Sequence, residues 1–125
     1  MKFPVIALIA VLTISAFAVA EANGKWLGKV PNADKARVNP YAGQSDAVAA
    51  GRNLFVSNCS HCHGPNAEGK GSRPSLHSER IRTATDGDLA WLLKNGQVYK
   101  GMPRWSGLPE QQRWQIISYI RSLNP

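Results

Sequence analysis

The stretch Cys59-Ser60-His61-Cys62-His63 carries two thiols separated by two residues, with an imidazole directly after the second. Thiols at this spacing can add to the two vinyl groups of one haem, and His63 then lies beneath the iron as its proximal ligand. Thioether bonds of that kind hold the group even when an axial bond breaks. A redox Cys-x-x-Cys of thioredoxin type would sit at a strand-to-helix junction in a βαβ pattern, and no such pattern is visible. A structural zinc site needs four ligands; the chain has no third cysteine, and His77 is the only histidine outside the motif. The motif therefore predicts covalent attachment of a single haem c through Cys59 and Cys62.

The chain begins Met1-Lys2, continues with an apolar run from Val5 to Ala20, and then places small residues at Ala18, Ala20 and Ala22. These are the three parts of a secretory signal peptide, so residues 1–22 read as a leader cleaved after Ala20 or Ala22. The run is shorter than the roughly 20 residues that a spanning helix needs. Periplasmic export follows, with membrane association only if the leader is retained. No other segment is apolar enough to span a bilayer, and no cysteine is left for a disulfide or a lipid.

What remains is about 100 residues, one domain by length. So short a chain has few positions for a large core, and an apolar macrocycle would serve as a core element for short helices to wrap. Fifteen Lys and Arg face eight Asp and Glu, a formal charge of +7, and cleavage after Ala20 removes only Lys2. Dispersed basic residues on an exported haem protein argue against nucleic acid and for acidic redox proteins or an anionic membrane surface as partners.

Residues 23–44 are rich in Gly, Asn, Pro and Lys without a sustained period, and read as an arm or linker; Trp26, Leu27 and Tyr41 give it apolar anchors. The domain proper is expected over 45–125. Ser45-Asp46 reads as a helix N-cap ahead of Ala47, Val48, Gly51, Leu54 and Phe55, which share one helical face and lead into the motif. From Gly64 to Pro74, three glycines and two prolines forbid regular structure and predict a loop around the haem edge. Thr85 or Asp86 caps a second helix carrying Leu89, Leu92 and Leu93 on one face and stopping at Gly96. A last helix starts at Pro109, has Glu110 in its first turn, and runs to about Leu123 with Trp114, Ile116, Ile117, Tyr119 and Ile120 on its apolar arc. Nothing alternates as a strand, so the expected class is all-α, three to four short helices around one haem.

A carrier iron needs a second axial ligand to keep its geometry in both oxidation states. Met102 is the one methionine left after the leader, and it sits in the rigid turn Lys100-Gly101-Met102-Pro103 rather than on a helix face. His63 and Met102 are thus the expected iron ligands. His77 is the rival, and bis-histidine ligation would lower the potential.

Over Ser45 to Pro125 the chain resembles class I monohaem c-type cytochromes of bacteria. The resemblance rests on Cys-Ser-His-Cys-His-Gly, on Gly-Met-Pro about 40 residues later, and on the terminal Tyr119-Ile120-Arg121-Ser122-Leu123. It implies a small cytochrome c fold in which the first and last helices cross beside the haem, with Gly51 and Phe55 facing Ile116 and Tyr119. It also implies that Pro74, in Arg-Pro-Ser-Leu, offers its carbonyl to the ring N–H of His63. Asn39-Pro40-Tyr41 and the run Trp105 to Trp114 are similar to small cytochromes that accept electrons from quinoprotein alcohol dehydrogenases.

The expected function is one-electron transfer rather than enzymatic catalysis, by a monomer moving electrons between periplasmic or membrane partners, from a quinoprotein dehydrogenase towards a terminal oxidase. Lys70, Arg73, Lys94, Lys100 and Arg104 lie in segments expected to flank the haem and would steer acidic partners. The alternatives are a haem c subunit held permanently in a larger oxidoreductase complex, and a gas-sensing or peroxidatic protein with an open distal site.

Overall fold

A computed structural model describes residues 25–125. The leader expected over residues 1–22 lies outside the described residues. Those described form α1 (Asn32–Lys35), α2 (Ser45–Asn58), α3 (Ser60–His63), α4 (Glu79–Thr83), α5 (Asp86–Asn95) and α6 (Glu110–Ser122), with 3-10 turns at Leu27–Lys29 and Val98–Lys100. Among these residues there is no strand, only isolated bridges pairing Lys70 with Arg73 and Gln97 with Met102. The fold is all-α, in agreement with the missing strand alternation.

Helices α2 and α6 form the central crossing, and Gly51 makes it possible. A Cβ at position 51 would overlap the Gln115 carbonyl and stand 3.1 Å from the Ile116 amide nitrogen. The missing side chain lets the two backbones meet. One turn further on, the rings of Phe55 and Tyr119 pack with centroids 5.3 Å apart at a tilted 54°. Phe55, Ile116 and Ile117 are fully buried, and burial of side chains this size stabilises by roughly 1.5–3 kcal/mol each.

Helix α5 starts as its sequence predicts. The Thr85 hydroxyl accepts from the Asp88 amide at 3.0 Å, and Asp88 Oδ2 accepts from the Thr85 amide at 2.9 Å, closing a capping box. Gly96 ends the helix with φ 63°, a left-handed value that favours glycine. Leu89, Leu92 and Leu93 point into the core. Two other boundaries differ by a residue. Helix α2 is capped by Gln44, with no side-chain cap bond, so Ser45 is its first helical residue. The turn bonds Ala42 N–H to Asn39 O and Gln44 N–H to Tyr41 O deliver the chain to that point, so the entry is set by the preceding turn and the Ser45 hydroxyl is not needed. Pro109, with ψ 144°, is extended and caps α6 instead of opening it.

Ordered structure does not wait for Ser45. Trp26 and Val30 join the core, and α1 lies along α5, where Gly87 lets the Asp34 carbonyl come so close that a Cβ would overlap it. The Thr85 hydroxyl donates to Lys35 O at 3.0 Å. Asn39, only 3% exposed, donates to Ser118 Oγ at 2.9 Å and to Trp114 O at 3.3 Å, while its Oδ1 accepts the Tyr41 amide at 2.9 Å. Arg37 pairs with Glu110 and lies 5.2 Å from the centre of the Trp114 ring. Helix α4 has too few residues to show a sequence period; it is held by Arg121, whose Nη1 donates to Ile81 O at 2.7 Å and whose Nε pairs with Asp86 Oδ1 at 2.7 Å.

Gly51→Ala should separate α2 from α6 and destabilise the protein by about 3 kcal/mol or more, seen as a lower thermal midpoint. Gly28→Ala, where a Cβ would meet nothing within 4 Å, should stay within about 0.5 kcal/mol of the parent. The hydrogen bond and charge of Arg37 hold the Glu110 carboxyl below the usual carboxylate range. A lowered folded pKa adds stability above the unfolded carboxylate value of about 4.3 and loses it as pH falls through the folded one. The stability difference between the parent and Glu110→Gln should therefore shrink towards zero in acid denaturation curves below that range; it should be small throughout, because the pair is solvent-screened.

Candidate functional site

The three motif side chains share one helical turn. Cys59 ends α2 and opens α3; its carbonyl accepts from the Cys62 amide at 3.2 Å and the His63 amide at 2.9 Å. Positions i, i+3 and i+4 of a helical turn lie on one face, so this backbone brings two thiols and an imidazole to the same side. Cys59 is buried and Cys62 half-buried, and the two are not bonded to each other.

The loop after the motif folds back onto it. The Gly69 amide donates to His63 O at 2.7 Å, and the Leu76 amide donates to Ala67 O at 2.8 Å. Gly69 has φ 90°, and a Cβ there would stand 2.8 Å from both Arg73 O and Ser75 N. That close approach carries residues 73–75 beneath the motif, where His63 Nδ1 meets Pro74 O at 2.9 Å. A carbonyl only accepts, so Nδ1 carries the hydrogen and Nε2 keeps its lone pair free for a metal. Ala67, fully buried with φ 60°, places its methyl in the core at the loop's inner corner.

The environment of the thiols bears on the competing chemistries. Burial, with the neighbouring Cys62 adding to it, pushes the Cys59 thiol from 9.0 up to about 12. A first cysteine so strongly protonated at neutral pH is a poor nucleophile for disulfide exchange. Cys62 Sγ instead faces the Arg73 guanidinium, with Nη1 at 2.7 Å. Among the described residues no group of three or more His, Cys, Asp or Glu gathers as a metal site.

Met102 lies in a locked turn. Its amide donates to Gln97 O at 3.1 Å and its carbonyl accepts from the Gln97 amide at 3.0 Å, while Gly101 before it takes φ 87°. The half-buried side chain packs against the core. His77 is exposed, and its Nε2 lies 2.7 Å from Asn66 O. His61 is exposed as well.

Sequence reasoning passed over two positioning residues. Gly69 counted only as one of three glycines that break structure, and its specific contact needs the loop's path. Asn39 stood in an arm without periodicity, and a buried asparagine has no sequence signature. The donor set itself fits a haem: two thiols on one face, an imidazole with one nitrogen engaged and the other free, and a thioether on a rigid turn.

The family model for cytochrome c oxidase, cbb3-type, subunit III matches residues 46–120. Cytochrome c-554(547) of Halothiobacillus neapolitanus is 37% identical over 87 residues, which are 61% of this chain and 96% of that protein. The crystal structure of cytochrome cL from the marine methylotroph Methylophaga aminisulfidivorans superposes with a TM-score of 0.60 at 30% identity, over 68% of this chain and 58% of that one. This chain thus spans little more than half the length of that structure. With the all-α fold and the Cys59–His63 turn, these likenesses show that the chain belongs to the cytochrome c family, as a haem-containing electron-transfer protein working with redox protein partners and not as an enzyme.

Proposed function

We propose that this protein is a monomeric one-electron carrier holding a single haem c through thioethers at Cys59 and Cys62, with His63 Nε2 and the Met102 sulfur as axial ligands. The observation that carries the reading is the His63 Nδ1 to Pro74 O bond at 2.9 Å, which orients the ring and leaves Nε2 as the free donor. The haem, when bound, supplies an iron that alternates between ferric and ferrous states. His63 contributes σ donation, strengthened by its bond to Pro74, and Met102 contributes a soft thioether that favours the ferrous state and raises the potential above that of a bis-histidine site. The paired backbone of Gln97 and Met102 would hold the turn that bears the thioether. His77 is less suited as a ligand, because its Nε2 is engaged at Asn66 O.

Exposed Lys70, Arg73, Lys94, Lys100 and Arg104 support an acidic docking partner on the basic chain. Export by a leader over 1–22, with an arm over 23–44 and a haem domain over 45–125, remains part of the proposal, as does a periplasmic location. No helix among the described residues is long and apolar enough to cross a membrane. A quinoprotein dehydrogenase as donor and a terminal oxidase as acceptor complete the reading. The matching family description names an oxidase subunit, which favours a second reading, a haem subunit held in a complex. Against it, Trp26 and Asn39, the arm residues that such an interface would use, are already buried in this chain at 5% and 3% exposure.

Gel filtration of native extract should give the haem absorbance at the size of a monomer; co-elution with a large complex would transfer weight to the second reading. Met102→Ala should keep the haem attached but make the iron high-spin or water-ligated, with loss of the weak red methionine-to-iron band in the ferric spectrum. An unchanged spectrum would remove Met102 from the site. Replacing Cys59 and Cys62 together by Ala should leave no haem after acid-acetone extraction, whereas His77→Ala should leave both spectra unaltered.

A further inference from the structure

A shallow, solvent-open cleft of about 300 Å³ lies between the N-terminal arm and the end of α5. Trp26 and Trp91 line it together with Val98 and Tyr99 of the following turn, and Lys29 and Arg104 supply its charge. None of Cys59, Cys62, His63, Pro74 or Met102 is among its lining residues, and neither is any carboxylate. Two of its nine lining residues, Trp26 and Lys29, belong to the arm, so one side of the cleft depends on the arm packing beside α5.

Three features say what such a cleft would take. Val98 and Tyr99 are 60% and 69% exposed, two large apolar side chains adjacent on one edge and uncovered by the other described residues. Isolated exposed apolar residues are ordinary, but a contiguous pair beside an aromatic cleft marks an interaction surface. The charge around them has one sign: Lys29 Nζ lies 5.2 Å and Lys100 Nζ 5.9 Å from the centre of the Tyr99 ring, with Arg104 on the same cleft. The volume is at the lower limit for a small-molecule pocket and the cleft does not enclose its contents, which suits one inserted side chain of a protein better than a ligand needing near-complete burial.

We propose that this cleft is the docking site for an acidic segment of a redox partner, which inserts one aromatic side chain into the cleft and sets Asp or Glu against Lys29, Lys100 and Arg104. The inference rests on the electron-carrier reading and deepens it by naming where a partner anchors and with what chemistry. The wall residue Gln97 is bonded in both directions to Met102, and a Cβ on Gly96 would stand 2.5 Å from the Pro103 carbonyl. A partner held here therefore bears on the same turn that carries the proposed thioether ligand.

The test uses the full haem-loaded protein in its reduced state, labelled with nitrogen-15 and titrated with the capped peptide Asp-Glu-Phe-Glu-Asp, its Phe-to-Ala counterpart and a neutral Phe peptide of Gly and Ser. The acidic Phe peptide should shift the amides of residues 96–99 and the indole N–H signals of Trp26 and Trp91, bind about fivefold or more tighter than either control, and weaken as salt is raised to about 0.2 M. Combining the exposed substitutions Lys29→Glu and Arg104→Glu should weaken it about tenfold. Tyr99→Ala should erase the difference between the Phe and Ala peptides. Equal binding of the Phe and Ala peptides, equal binding of the neutral peptide, or shifts scattered over other lysines with the cleft silent would each overturn the proposal. Chemical shifts report binding without any electron transfer, so a failed docking site is distinguishable from a failed carrier, which the methionine-to-iron band of the ferric protein reports separately.

Discussion

The contact of α2 with α6 at Gly51 is the constraint on which the other features depend. Two helix backbones approach this closely only where one of them has no side chain, and position 51 has none. The crossing fixes the axis of α2, and so the point at which that helix delivers Cys59. It also stacks Phe55 on Tyr119 and buries Ile116 and Ile117 without residual exposure to speak of. The Cys59–His63 turn is thus a continuation of the helix fixed by this crossing, which is how a short chain can hold two thiols and an imidazole in register.

The site's far side is assembled by loops that have little packing of their own. Residues 64–76 are organised by backbone bonds back to the motif and by the close approach at Gly69, and their far end is tied to α6 through Asn124, whose Nδ2 donates to Leu76 O at 2.9 Å. The turn bearing Met102 is organised in the same way by Gln97. In both loops the main chain does the positioning. Substitution of Pro74 would accordingly leave a carbonyl at that position and act through the path of the chain.

Much of this was legible in the residues. Cys59, Cys62 and His63 could be read together because their spacing and the helical period agree, and Thr85 with Asp88 because a capping box is wholly local. The arm over 23–44 was harder. Its elements at Leu27–Lys29 and Asn32–Lys35 are single turns with no period, held by tertiary contacts of Gly87, Thr85, Ser118 and Trp114. Helix α4 escaped for the same reason, since its carbonyls are satisfied by Arg121 from forty residues away. The cap of α2 is Gln44 rather than Ser45 because turns beginning at Asn39, itself anchored to α6, deliver the chain there.

The sequence by itself determined the all-α class, the three long helices, the donor set Cys59, Cys62, His63 and Met102 expected for one haem, and the basic character. Each of those follows from composition or from contacts a few residues apart, where backbone geometry alone relates one side chain to the next. Only the tertiary structure decided how closely α2 and α6 meet at Gly51, that Pro74 O stands 2.9 Å from His63 Nδ1, that the arm is folded onto α5 and α6, and that an aromatic and cationic cleft opens beside Trp91. Those features join residues dozens of positions apart, and their distances depend on how helices pack in three dimensions, which no periodicity along the chain encodes.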